Sequence, residues 1–411
     1  MTRARRLIVV VAICLMAALA APLPLRAVPP PHAPRAAVVG STGWIQQILD
    51  AIGGRRVSVA VGVDGVTWFD HGGDVPRQPA SNEKLLLSMA LLDRLPATMR
   101  IRTQAAARTL PGKNGVLRGN LWIVGHGDPE VNRPTLRALA DAIAADGVKR
   151  ITGRVIGDTG PFRRDWFAPG WKSYFPRYYV ALPTALTFQQ NMSDRGVRIV
   201  DPELRAARFL TTKLEARGVA VKGEPAADGL TEPVKEITSV ASAPLQGLIQ
   251  RMDLKSKNFY AEVLGKKLGS IVTGTGSIAA GAHAIDTYTD SQGVDFTLHD
   301  ASGLSYANRV TADGMLRLLW AADAAPWGPI LRASLPAGDQ GTLEGRLPKI
   351  TLRAKTGTLH DASALSGWVW LEQSQQWAEF SILSNGFSEW TAKGIEDRIV
   401  RAISQDAVDP T

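Results

Sequence analysis

Residues Leu85-Leu86-Leu87-Ser88-Met89-Ala90-Leu91-Leu92 form an apolar run without a polar face. A helix built on such a run has no side to give to water, so it must lie inside its domain. The stretch Pro79-Ala80-Ser81-Asn82-Glu83-Lys84 leads into it. Ser81 and Lys84 are therefore one turn apart, on one face, at the start of a buried helix. A serine hydroxyl needs a neighbour to take its proton before it attacks anything. A lysine stripped of water has a lowered pKa and is able to do that. The plainer reading makes Ser81 a helix N-cap. A chain of this length contains about one Ser-x-x-Lys by chance, so the pair alone does not decide between the two.

Composition narrows the classes. The chain has 411 residues, 45% hydrophobic and 21% charged, which suits a globular protein with a sizeable core. Its formal charge is +9, and three of those charges are Arg3, Arg5 and Arg6. The rest are scattered, with no basic block interleaved with aromatics, so no nucleic-acid partner is expected. Residues 1–20 read as a signal peptide: a basic start, an apolar run from Leu7, and Ala18-Leu19-Ala20 as a small-x-small cleavage site. A second cleavage candidate ends at Ala27, and an uncleaved membrane anchor is the other reading. Residues 21–40 form a proline-rich linker. The one cysteine, Cys14, lies in the signal segment, so an exported mature chain has no disulfide and no thiol nucleophile. The expected location is the periplasm or the cell-wall side of the membrane.

Along the chain, a helix is expected over 43–52. A hairpin follows, with strands at 57–61 and 66–69 around Asp64-Gly65. Residues 100–234 alternate strand and helix and include a long aromatic loop from Gly160 to Tyr179. From about 235 the pattern is helical, until two strands at 364–371 and 377–383 and a last helix at 391–403. Strands at both ends with helices between predict one sheet shared by the N- and C-terminal parts. This makes 41–99 and 235–411 a catalytic domain, and 100–234 an inserted one.

Two further motifs follow Ser81-x-x-Lys84 in order. Ser256-Lys257-Asn258 lies between two predicted helices, where an extended turn points Ser256 and Asn258 into one cleft. Lys355-Thr356-Gly357-Thr358 is expected on an edge strand, with Gly357 admitting a substrate backbone. The six histidines are dispersed, without metal-ligand spacing. No Gly-x-Ser-x-Gly elbow accompanies the His299-Asp300 and His360-Asp361 pairs, so neither a metal nor a Ser-His-Asp triad is expected.

The order Ser-x-x-Lys, Ser-x-Asn, Lys-Thr-Gly resembles that of penicillin-binding proteins and serine β-lactamases. Leu121–Gly125 with Gly127-Asp128-Pro129, Asp300–Ser305, Gly341-Thr342-Leu343 and Arg353–Thr358 extend the resemblance. They are similar to the D-alanyl-D-alanine carboxypeptidase/endopeptidase family of the penicillin-binding protein 4 type (peptidase family S13). The match runs from about 57 to 385. The resemblance implies an α/β (α+β) transpeptidase-like fold, an antiparallel sheet flanked by helices, with an inserted α+β domain. It also implies a cofactor-free serine carboxypeptidase acting on peptidoglycan stem peptides that end in D-Ala-D-Ala, with cross-link endopeptidase activity as a second expectation and β-lactams as acylating inhibitors. By the same resemblance Ser81 is the nucleophile and Lys84 its base. Ser256 relays a proton to the leaving amine, and Asn258 orients Lys84 and the substrate amide. Lys355, Thr356 and Thr358 hold the terminal carboxylate, Gly357 lines the strand, and Arg346 lies near the substrate end. The alternatives are a β-lactamase or esterase of the same fold, and a catalytically silent peptidoglycan-binding member.

The chain departs from the family pattern in three places. Lys257 stands where aspartate is usual, and its side chain is expected to point away from the cleft. Met192–Gly196 leads almost directly into the helix near Asp201, so two domains are expected rather than three. Gly170-Trp171-Lys172-Ser173-Tyr174 keeps the first tryptophan of a family pattern but lacks its aspartate.

Overall fold

The structure, a computed structural model, describes residues 43–410. The signal segment and the proline-rich linker, with Cys14, lie outside those residues. The first sheet is wholly antiparallel and has five strands in the order Leu352–Leu359, Ala362–Leu371, Gln376–Asn385, Val57–Val63, Val66–His71. The two ends of the chain meet where Val57–Val63 pairs with Gln376–Asn385. Alternation along the strands gives this sheet two apolar faces.

One face packs under the helices Gly43–Ile52 and Glu389–Asp406, through Trp44, Ile48, Phe380, Ile395 and Ile399. The other face receives the helix Glu83–Arg94, in which every residue from Glu83 to Leu92 is buried. Leu248, Met252, Leu264, Ile285 and Leu316 from four further helices complete that core. Burying the leucines of Glu83–Arg94 contributes roughly 1.5–3 kcal/mol each before conformational entropy is deducted. The helix stops at Leu95, extended at φ −131°, as the residue before a proline should be.

A second five-stranded sheet has the order Lys235–Pro244, Arg100–Ala107, Leu121–Val124, Val155–Asp158, Ala226–Asp228, antiparallel at first and parallel after Leu121–Val124. The helices Arg133–Ala145 and Pro202–Glu215 cover it with their own core of Leu136, Leu139, Ile143, Ala206 and Leu210. Lys235–Pro244 is a strand where a helical pattern was expected from about 235. This segment pairs along its length with Arg100–Ala107, so the second sheet continues to Pro244. Its small alternating residues, Thr238-Ser239-Val240-Ala241-Ser242, carry too little apolar weight to register as a strand.

Candidate active site

Ser81 sits in a single 3₁₀ turn, Ala80–Asn82, at the head of the buried helix. Neither Ser81 nor Asn82 caps the helix with its side chain, so the N-cap reading is set aside. Ala80 has φ +47°, a left-handed conformation that costs a non-glycine residue energy and has to be held by its surroundings. Two glycines hold it. A Cβ on Gly303 would lie 1.8 Å from Ala80 O, and one on Gly357 would lie 2.5 Å from Pro79 O and 3.1 Å from Ser81 N. On its Cβ side, the space expected beside Gly357 for a substrate backbone is thus filled by the turn that carries Ser81. From below, Asn82 Nδ2 donates to Ser366 Oγ at 2.7 Å.

Lys84 is fully buried. Its Nζ lies 2.9 Å from Ser81 Oγ, 2.8 Å from Asn258 Oδ1 and 2.5 Å from Ser302 O. Burial pushes its pKa down to about 8, against the opposing pull of the Asp300 and Glu262 carboxyls. A neutral amine has two N–H donors and one lone pair. Asn258 Oδ1 and Ser302 O can only accept, so they take the two donors. The lone pair is left for the one partner that can donate, the Ser81 hydroxyl. The geometry suits a base poised on a nucleophile.

Ser256 and Asn258 reach the cleft by a different route from the extended turn expected. Ser256 ends the helix Leu245–Lys255 in a left-handed conformation, φ +49°, and Asn258 opens the next helix. The sharp reversal still brings both inward. Ser256 Oγ is 3.0 Å from Lys355 Nζ, and Asn258 touches Lys84 with Oδ1 while its Nδ2 donates to Tyr179 O at 3.2 Å. Lys257 points away, its Nζ 3.3 Å from Tyr260 OH and 4.4 Å above the Tyr260 ring. Tyr260 OH donates to Glu130, which also binds Arg251. The lysine at this position therefore anchors the turn without entering the cleft.

Lys355 to Thr358 lie on the edge strand Leu352–Leu359, as expected. Lys355 is fully buried, and its Nζ also donates to Thr356 O at 2.8 Å. Burial and the nearby Lys84 push its pKa down, while the buried carboxyl of Asp253 pulls the other way. A substrate carboxylate would restore the charge of this ammonium. Thr356 Oγ1 donates to Thr342 Oγ1 at 2.7 Å, and Thr358 is exposed.

Arg346 is not brought to this cluster. Its guanidinium binds Glu396 at 2.8 Å and Asp397 at 2.7 Å on the C-terminal helix. Glu396 in turn accepts from Ser363 Oγ at 2.6 Å. Those carboxylates lie 50 and 51 residues away in sequence, and they tie the loop that carries Arg346 to the C-terminal helix, which Ser363 joins to the second strand of the sheet.

Three participants escaped the sequence reading of roles. Ser302 reaches Lys84 through its carbonyl, which no side-chain motif reports. Asp253, fully buried, accepts from Ser88 at 2.8 Å and from Ser334 at 3.2 Å behind the two lysines. Glu83 lies inside the Ser-x-x-Lys motif at a position the motif leaves free. An aspartate on the apolar face of Leu248, Ile249 and Met252 was the one available signal for Asp253.

Among the described residues, no group of three or more His, Cys, Asp or Glu side chains has metal-binding geometry. Two segments, 46–197 and 189–406, match the model of the D-Ala-D-Ala carboxypeptidase 3 (S13) family. The chain is 29% identical over 446 residues to a D-alanyl-D-alanine carboxypeptidase of Actinomadura sp. (strain R39), covering 85% of this chain and 82% of that one. It is 31% identical over 367 residues to carboxypeptidase DacB of Mycolicibacterium smegmatis, covering 82% and 77%. In fold it is similar to penicillin binding protein 4 of Haemophilus influenzae, with a TM-score of 0.78 at 20% identity over 87% of this chain and 99% of that one. By sequence and by fold, the chain belongs to the D-Ala-D-Ala carboxypeptidase (S13) family of serine peptidases.

Proposed function

We propose that the protein cleaves the terminal D-Ala–D-Ala amide of peptidoglycan stem peptides through an acyl-enzyme on Ser81. Lys84 takes the hydroxyl proton as Ser81 Oγ bonds to the penultimate D-alanine carbonyl carbon. The backbone N–H groups of Ser81 and Thr358 receive the oxyanion, the interaction that usually contributes most in acyl transfer. Ser256, with Lys355 behind it, passes a proton to the leaving D-alanine nitrogen as the C–N bond breaks. Lys355, Thr356 and Thr358 hold the terminal carboxylate, and water then releases the shortened peptide. The observation that carries this reading is the three-way setting of Lys84 between one hydroxyl and two obligate acceptors.

The D-alanyl amide of a peptide cross-link has the same bond type, so endopeptidase activity on muropeptide dimers belongs to the proposal. So do export to the cell-wall side and acylation by β-lactams. A β-lactam adduct should persist rather than turn over. The test is labelling with a fluorescent penicillin alongside D-alanine release from a D-Ala-D-Ala peptide. Wild type should label and release D-alanine, and Ser81→Ala should do neither. Labelling of Ser81→Ala would remove Ser81 as nucleophile, and rapid multiple turnover of a chromogenic β-lactam would favour a β-lactamase.

A further inference from the structure

Three carboxyl side chains are buried together behind Lys84: Glu83 on the same helix, Asp300 on the loop that supplies Ser302, and Glu262 on the helix Asn258–Thr273. Asp300 is surrounded by donors. It accepts from Gly303 N at 3.0 Å, Ser305 N at 2.9 Å, Asn308 Nδ2 at 2.9 Å and Trp171 Nε1 at 2.6 Å, with Ser302 Oγ at 3.4 Å. Glu83 is not. Its Oε2 meets the same Asn308 Nδ2 that serves Asp300, its Oε1 is buried without a donor, and the Asp300 carboxyl itself lies within hydrogen-bonding reach of the Glu83 carboxyl. Two carboxyl oxygens thus converge on one amide nitrogen in a space closed to water. Two negative charges so placed are not tolerated, and the pair must share a proton. The donor set assigns the charge to Asp300 and the proton to Glu83, because an ionised oxygen with no partner is the costliest arrangement available.

We infer that Glu83 is a positioning residue that works as a neutral acid, steadying Asp300 and the Ser302 carbonyl on Lys84 without adding a second negative charge beside that lysine. The consequence is electrostatic. An ionised Glu83 would hold Lys84 in its ammonium form and withdraw the base. Burial, with Asp300 and Glu262 nearby, holds the Glu83 carboxyl well above the usual carboxylate range, in the same sense as the geometry. The other titratable groups facing it are Glu262, whose carboxyl accepts from Ala301 N at 3.1 Å, and Asp286 on the helix Ile278–Ser291. Asp253 and Lys355 act on Lys84 and on each other.

The inference uses the proposed acyl-enzyme only for the role of Lys84, so one readout is independent of activity. The infrared difference between resting wild type and Glu83→Gln near neutral pH should show the carbonyl stretch of one protonated carboxylic acid, lost in the variant. Absence of that band overturns the inference even if penicillin labelling succeeds. Glu83→Gln, which keeps a neutral donor, should retain acylation within about threefold of wild type and leave the acid limb of the pH–rate profile in place. An acid limb displaced downward by about one pH unit or more would mean that the charge on Glu83 matters, and would also overturn the inference. Glu83→Leu removes the donor. It should slow acylation at least tenfold in the fraction that remains folded by thermal melt, and unchanged acylation in that fraction counts against it.

Discussion

Lys84 and Lys266 are both fully buried lysines on helices of the same core region, and they keep different company. Lys266 Nζ meets the Asp165 carboxylate at 2.6 Å and the carbonyls of Arg163, Asp165 and Pro183 at 2.8, 3.0 and 3.0 Å. Every one of those partners demands a donor, and one is an anion. Lys84 has a hydroxyl, an amide oxygen and a backbone carbonyl, with no carboxylate in contact. Burial lowers the pKa of both, and at Lys266 the ion pair with Asp165 opposes it. Burial alone therefore does not make a base. An anionic partner fixes a buried lysine as a structural cation, whereas neutral acceptors and one hydroxyl leave it able to give up its proton.

The largest expected difference between the two lysines is in chemistry. Lys84→Ala should slow penicillin acylation about 10²–10⁴-fold, the usual worth of a positioned base, with an unchanged circular-dichroism spectrum. Near-normal acylation would erase the contrast. The pH profile comes next. Lys84 acts as a base only when unprotonated, so acylation should rise with pH about a midpoint near 8, the value to which burial pushes it. A rate that falls across that range would mean the ammonium is the active form. Lys266→Met should do the opposite of Lys84→Ala. It leaves a partly buried Asp165 carboxylate unpaired, which costs about 1–3 kcal/mol in denaturant melts, while acylation per folded molecule stays within a few-fold. The smallest effect is expected at Arg346. Arg346→Lys should lower the melting temperature by a few degrees through weaker pairing with Glu396 and Asp397, and leave KM for a D-Ala-D-Ala peptide within about twofold. A large rise in KM would return Arg346 to the substrate site.

What could be read without the fold was local and periodic. The run Leu85–Leu92 required a buried helix because it had no polar face, and the structure buries it completely. The spacing of Ser81 and Lys84 put them on one face, and 2.9 Å separates their polar atoms. The hairpin around Asp64-Gly65 and the late strands were legible from alternation and turn chemistry. What failed to show were features made by residues far apart in sequence. Gly357 looked like space for a substrate, but on its Cβ side that space is taken by Pro79 and Ser81, more than 270 positions earlier. Arg346 was carried to the cleft by resemblance, and two carboxylates 50 and 51 residues downstream took it elsewhere. Lys235–Pro244 was hidden because small alternating residues give little apolar signal.

The sequence by itself determined the buried helix that follows Ser81, the order of the three motifs and the family they resemble, because each depends on spacing within a few residues. Only the tertiary structure decided what surrounds Lys84. Asn258 comes from one helix start, Ser302 from a loop and Glu83 from within the motif, and Asp300 and Asn308 close the space behind them. A side chain's identity gives its ordinary pKa, but its working charge depends on which donors and acceptors are packed within about 3 Å of it. That is settled by the fold, not by neighbours along the chain.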